Sequence, residues 1–539
     1  MVRSLAATAG TACAAWALSS DVARADPVSG VIGLTALIEV IIGGASITVL
    51  GATITAGAIG GAILGAAALA GGAYLLRNQL DKPSLSSSYG STGVNSPSVR
   101  FSERQSIPNK RILFGYGLVG GALFFEEVSA PYLVMGLLYC DDQIDGVERI
   151  QIGSNALSFA SISENTILTP LSITGQPAYS THVRCSFGYG ADDQARDALA
   201  YARFPALSSA FRQRGVARGV FEFSYGASST EYTALWGQSS RPNPLVIARG
   251  VRAFDPRDPT QDVDDPSTHT FTQTPALLIA HYMTRDYGGR AASQQIAWDS
   301  FAQAANWHEG RVGTAGGDTI QRYTVDGLIS LAQRPSDILQ DMLWACRSHI
   351  IDRGGMIYLS SSEPKTPVAT ITDQFLTGGF DFRAQKPRRE TYNQAKFRFV
   401  SEDNEYQVVE GPIIDRADWQ AADGEVLTLT RDYSFILDYR RAQRVARADL
   451  YEARLGRSLT CRLDIAFLAH CADELVGGAV TMQSDLFSQA NGTYICSRLT
   501  LLPEQATIEV DLVEYDRSIE TSYDPAVDEL PFTVPDVGV

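Results

Sequence analysis

Few residues of this chain have the chemistry of a nucleophile, a base or a metal ligand, and their spacing is poor. Cysteine occurs seven times, at Cys13, Cys140, Cys185, Cys346, Cys461, Cys471 and Cys496. The number is odd and no pair has C-x-x-C spacing, so neither a disulfide framework nor a zinc site is signalled. Most of them sit in apolar runs, where cysteine behaves as a small hydrophobe. The six histidines show no H-x-x-x-H spacing. Cys346 and His349 offer a thiol and a base three residues apart. Cys346, however, shares a helical stripe with Ile338, Leu339, Met342 and Leu343, so a structural reading is expected. Asp141, Asp142 and Asp145 supply oxygen ligands suited to calcium. They lack the EF-loop spacing and its closing glutamate, and read as a solvated turn. Carboxylates for a glycosidase pair are plentiful, but none stands in a recognisable catalytic setting. No catalytic residue, cofactor or metal site is expected.

Composition narrows the class further. A chain of 539 residues has room for three or more domains. Hydrophobic residues make up 45% and charged ones 19%, the balance of a globular chain. The formal charge of −16 opposes a protein that grips duplex nucleic acid, which needs a basic face.

The dominant element is apolar. Val31 to Leu76 carries one charge, Glu39, and is longer than two bilayer spans of about 20 residues. Gly57, Gly60, Gly61, Gly65, Gly71 and Gly72 punctuate it, and Gly61-x-x-x-Gly65 is a small-xxx-small pattern for close helix contact. A helical segment seeking lipid, copies of itself or an apolar partner is expected. Glu39, if buried alone, would be protonated or paired. Ahead of it, Met1-Val2-Arg3, an apolar run to Ser19 and Ala23-Arg24-Ala25 resemble a secretory signal with its cleavage site. Behind it, Lys82 to Arg100 is a Ser/Gly/Pro linker.

From Lys110 the pattern turns to strands. Tyr132 to Cys140 and Val147 to Ile152 flank Asp145-Gly146, a hairpin signal. Asp192 to Phe204 suggests a short helix, and Val220 to Tyr225 and Leu245 to Ala253 suggest strands. Thr274 as N-cap and Pro275 at the first position open a helix to about Arg285. Ile296 to Asn306 is a second helix, and Pro335 opens a third. Ala395 to Val400 and Tyr406 to Val409 pair across Glu402-Asp403-Asn404. Leu437 to Leu455 is a helix ending at Gly456 as C′ glycine. Arg440, Arg441, Arg444, Arg447 and Arg454 crowd that helix, as a solvated face or as a subunit contact with acidic neighbours. Leu459 to Leu468, Ala479 to Met482, Thr493 to Leu502 and Ala506 to Tyr515 are strands, and an acidic, extended tail follows.

The order of these pieces resembles a known family: the central tail-tip, or hub, proteins of long-tailed bacteriophages, lambda-like. Residues 100 to 516 carry the resemblance. Pro108 through Gly121 looks like the family's opening, and Gly136 to Ile152 like its next segment. Arg249-Gly250, Phe254-Asp255-Pro256-Arg257, Thr274-Pro275-Ala276-Leu277 and Tyr287-Gly288 are similar to its middle series. Arg322-Tyr323, Asp326-Gly327, Pro335 and Gly355 continue it. Tyr392-Asn393 and Gly492-Thr493-Tyr494 resemble its second β-domain. Phe254 stands for the usual tyrosine and Thr274 for asparagine. Lambda-like tip proteins also continue well past this length, so receptor recognition is expected to lie with other proteins.

The resemblance implies a mainly β fold with α+β insertions: two tail-tube-like β-barrel domains and a helical, mixed middle domain. The expected divisions are a signal-like arm (1–30), the apolar segment (31–80), the linker (81–107), a first hub β-domain (108–245), a middle α/β domain (246–385), a second tube-like β-domain (386–516) and the tail (517–539). Arg249, Gly250, Asp255, Pro256, Arg257, Pro275, Leu277, Tyr392 and Asn393 are then structural positions. The implied function is a non-enzymatic homotrimer at the distal end of the tail. Its implied partners are distal-tail, tail-tube, tape-measure and fibre or receptor-binding proteins, with the host membrane on infection. The alternative is a secreted or membrane-anchored bacterial protein with a glycine-rich membrane hairpin.

Overall fold

The computed structural model describes residues 108–533, apart from 154, 227, 237–241 and 472–474. These belong to a compact unit spanning Gly93–Val539. The signal-like arm, the apolar segment with Glu39 and its glycines, and the linker lie outside the described residues. Among the described residues no helix is long and apolar enough to cross a membrane.

The described chain is mainly β, with helices gathered in its middle. Two antiparallel sheets build the first part. In one, Pro244–Ala253 is flanked by Tyr116–Gly120 and Ile144–Ile152, with Asn155–Leu157 and Thr270–Phe271 added. The other runs Ala122–Ser129, Tyr132–Cys140, Ala217–Ser224, Val183–Tyr189. The chain crosses between them at Gly120-Gly121. A Cβ on Gly121 would stand 2.5 Å from Leu137 Cβ, so only glycine allows the step.

The Asp145-Gly146 hairpin does not form. Tyr132–Cys140 already has a neighbour on each edge, so Ile144–Ile152 has no place beside it and joins the other sheet. The corner is Asp141 to Gln143, and Asp145 and Gly146 lie inside the strand.

In the middle, helices Pro275–Thr284, Trp298–Glu309 and Pro335–Cys346 pack together. Thr274 is the N-cap and Pro275 opens the helix, but the Thr274 hydroxyl makes no capping bond and donates to Glu309 Oε1 at 2.8 Å instead. Cys346 is fully buried, which pushes its thiol up to about 12. A thiol so placed is inert. Arg347, in the left-handed conformation, ends the helix, and His349 starts the next strand with an exposed side chain.

In the last part, Gln394–Ser401 runs antiparallel to Gln407–Glu410 and Ile414–Asp415 and parallel to Thr428–Tyr433. Helix Tyr439–Arg454 packs on this sheet, with Ala442, Val445, Ala446 and Leu450 in the shared core. Its N-cap is Asp438, which accepts from Arg440 N and Arg441 N. Gly456 does not cap the other end. Leu455 leaves the helix extended, and Gly456 N donates to Glu514 Oε2 at 2.9 Å.

A six-stranded sheet follows the order Pro367–Thr372, Ala479–Gln483, Gly492–Leu502, Thr507–Glu514, Ser458–Asp464, Asp381–Arg383. It has a core of its own around Leu459, Val480, Tyr494 and Val510. The strand expected to reach Leu468 stops at Asp464, whose carboxylate caps a turn of 3-10 helix by accepting from Ala466 N.

The described part of the acidic tail, up to residue 533, is docked rather than extended. Ser518–Thr521 and Pro525–Asp528 are short helices. Gln443 clasps Leu530 through both the Leu530 backbone N–H and its carbonyl, and Phe532 packs edge-on against Phe399 and tilted beside Tyr439. Two apolar side chains, Leu530 and Phe532, draw the acidic segment back onto the main core.

Candidate functional site

The residues singled out by the family resemblance lie at joints between distant segments. Gly250 N donates to Gly115 O at 2.7 Å, and a Cβ there would meet Leu113 O at 2.1 Å. Beside it, Arg249 Nε lies 2.7 Å from Asp145 Oδ2, and Arg252 Nε 2.9 Å from Asp145 Oδ1. Arg257 forks between two carboxylates, with Nη2 2.7 Å from both Asp255 Oδ2 and Glu309 Oε1. Glu309 also receives Thr274, so Asp255-Pro256-Arg257 and the entry to the Pro275 helix form one cluster. Leu277, on that helix, is buried in the main core. Asn393 is fully buried. Its Nδ2 donates to Asp423 Oδ2 and Glu425 O, and its Oδ1 accepts from Leu427 N at 2.8 Å. Its neighbour Tyr392 packs against the core edge. The three groups, around Arg249, Arg257 and Asn393, are separate from one another in the hydrogen-bond network, and none assembles a nucleophile with a base.

The acidic turn is partly exposed, but its carboxylates are held by the protein. Asp141 Oδ2 accepts from Arg111 N at 2.8 Å, and Asp145 holds the two arginines. Asp142 accepts from Tyr287 Oη at 2.8 Å, with His281 Nε2 at 3.6 Å. Burial raises the Asp142 pKa, but hydrogen bonding and charge from His281, Arg285 and Tyr287 outweigh it and hold the carboxyl at about 2. Protein donors thus claim oxygens of all three carboxylates.

The arginine helix is not a solvated face. Arg441, Arg444 and Arg447 are buried. Arg441 donates to Gln321 O and Thr324 Oγ1, Arg444 to Arg322 O, and Arg447 Nε lies 3.1 Å from Asp528 Oδ1. Arg454 is bidentate on Asp423. Nearby, and unmarked by any motif, Arg347 reaches Asp449 at 2.7 Å, Glu452 at 2.8 Å and Glu520 at 3.0 Å. The three carboxylates hold its pKa well above the ordinary range despite burial.

One large feature remains, a cleft of about 1220 Å³ between the first sheet and the end of the Gln394–Ser401 sheet. Tyr116, Phe159, Phe399, Tyr406 and Tyr439 give it aromatic walls. Four arginines line it, and three are claimed: Arg249 by Asp145, Arg440 by Asp438, and Arg441 by the oxygens named above. Asp326 closes its depth, buried, accepting from Tyr116 N at 2.9 Å and Gln273 Nε2 at 2.6 Å. Glu148, Glu402, Asp403 and Arg149 also line it, and no ion pair holds their side chains among the described residues. Partial desolvation in the cleft raises the Glu402 pKa; Arg149 opposes the shift, and Asp403, Asp326 and Glu148 add to it.

Residues 334–477 match the model of a family described as "Putative phage tail protein". The match supports a phage tail protein. The matched stretch of the chain contains Arg347, Tyr392, Asn393 and the arginine helix. The fold is also found in a chain of the virion of native gene transfer agent (GTA) particle. The TM-score is 0.52 at 14% identity, covering 78% of this chain and 88% of that chain. The 43 kDa tail protein of prophage MuSo2 from Shewanella oneidensis aligns at a TM-score of 0.28 and 11% identity, covering 76% of this chain and 94% of its own. The tail protein from Neisseria meningitidis MC58 aligns at 0.28 and 11%, covering 77% and 95%. No curated protein matches this chain.

Proposed function

We propose that this chain is the hub of a tail tip. Three copies close the distal end of the tail tube and organise the tip and fibre proteins. The observation that carries this reading is the fold shared with a virion chain over 88% of that chain's length. The succession of Arg249-Gly250, Asp255-Pro256-Arg257, Pro275 and Tyr392-Asn393 supports it, since each sits at a joint that holds the body together. Two β-regions, one at each end of the described chain, supply the tube-like parts. Their sheets end in strands with open edges, such as Ala122–Ser129 and Pro367–Thr372, and ring closure covers such edges.

In this reading residues 31–76 contact the tape-measure protein or the tube lumen before infection. On infection they enter the host envelope and take part in DNA ejection. The test uses native mass spectrometry of the full chain in a mild nonionic detergent, and gold-labelled antibody on particles with and without residues 31–76. A trimer, label at the distal end, and particles that adsorb but fail to eject once the segment is removed are expected. A monomer, or label along the whole tail, overturns the hub. Normal ejection without the segment overturns its part in entry.

A further inference from the structure

We propose that the large cleft is the docking groove for a basic segment of another protein, taking arginine or lysine side chains against its aromatic walls. Three observations converge on that occupant. First, the imbalance of charge: once the ion pairs of Arg249 with Asp145 and Arg440 with Asp438 are set aside, the carboxylates of Glu148, Glu402, Asp403 and the buried Asp326 face two cations, Arg149 and the buried Arg441, whose own hydrogen bonds go to neutral oxygens. Secondly, the walls: Tyr116, Phe159 and Tyr439 are half-buried, and a guanidinium held against a ring gains cation–π attraction in addition to its carboxylate. Thirdly, size: about 1220 Å³ exceeds the roughly 300–1,000 Å³ of small-molecule sites and suits a run of several residues.

The groove is rigid enough to select. Leu118, Leu245 and Ile247 of the first sheet share a core with Val400 and Tyr406 of the later one, so the two sides are bolted together at the cleft's base. Buried Asp326 ties Tyr116 to Gln273 on the same floor.

The test is fluorescence anisotropy on the full chain, using as probes a labelled decapeptide of alternating arginine and glycine and its glutamate–glycine counterpart. The arginine peptide binds, more weakly as salt rises, and the glutamate peptide does not. The triple variant Glu148→Gln, Glu402→Gln, Asp403→Asn weakens binding by about tenfold or more. A control with three exposed acids neutralised elsewhere, Asp264→Asn, Asp381→Asn and Glu504→Gln, leaves it within about twofold, which separates the groove from the general negative charge of the chain. Equal losses in both variants, binding of the glutamate peptide, or no binding at low salt overturns the proposal. None of these outcomes bears on whether the chain is a trimer at the tail tip.

Discussion

The arginine helix and the cleft share residues at one end, yet they treat charge in opposite ways. Along Tyr439–Arg454 each arginine from Arg440 to Arg454 finds a carboxylate or a carbonyl of its own chain. A few residues away, Glu148, Glu402 and Asp403 line one cleft with Arg149, and no ion pair holds any of the four among the described residues. A buried charge without a partner is expensive, so the first arrangement is what folding demands. Like charges left together at an open cleft cost little in water, and nothing in folding requires them. The difference separates charge that holds the body together from charge held ready for something outside it.

The largest test of that division is Arg347→Met. The Arg347 side chain is buried among Asp449, Glu452 and Glu520, of which Asp449 and Glu520 are mostly shielded from water. Removing the cation strands two buried carboxylates, so a loss of about 3 kcal/mol is expected in urea unfolding followed by tryptophan fluorescence. A loss below about 1 kcal/mol would place Arg347 with the cleft charges and dissolve the contrast.

Arg347 also shows what a sequence hides. Its three partners lie 102, 105 and 173 residues away, and no spacing rule connects them. The same holds for Gln443 and Leu530, 87 residues apart, whose bonds dock a tail that composition alone marks as extended. What was legible is local: Pro335 and the stripe Ile338, Met342, Cys346 mark a helix, and Glu402-Asp403-Asn404 marks the turn between Gln394–Ser401 and Gln407–Glu410. Asp145-Gly146 misled because turn chemistry describes four residues and cannot tell that both edges of Tyr132–Cys140 are taken. The cleft was invisible for a further reason. Its walls come from residues near 116, 148, 402 and 439, each unremarkable in its own stretch.

A middle-sized effect tests the acidic corner. The folded-state pKa of Asp142 is held at about 2, below the ordinary 3.8. Its contribution is therefore fully present above about pH 4 and is lost as pH falls through 2, an amount of about 2 kcal/mol. Asp142→Asn removes that contribution at neutral pH. Denaturant midpoints measured from pH 6 to pH 2 should show wild type above the variant at pH 6, with the gap closing between pH 4 and pH 2. A gap independent of pH would mean that Asp142 acts through shape and not through its charge.

The smallest effect sharpens the comparison most. If the cleft carboxylates take no part in holding the fold, neutralising them should not weaken it. Each substitution, Glu148→Gln, Glu402→Gln or Asp403→Asn, is expected to change stability by less than about 0.5 kcal/mol. The sign carries information too. Asp403 and Glu148 disfavour the charge on Glu402 and Arg149 favours it, so the triple variant should be slightly more stable than wild type at low salt, with the gain fading as salt screens the repulsion. Thermal unfolding of wild type and triple variant at two salt concentrations measures this directly. A destabilisation of more than about 1 kcal/mol would mean that these carboxylates belong with Arg347 and Asp142 as internal charge. A gain that vanishes in salt is the signature of charges kept together against their own repulsion, which is what a groove awaiting a cation requires.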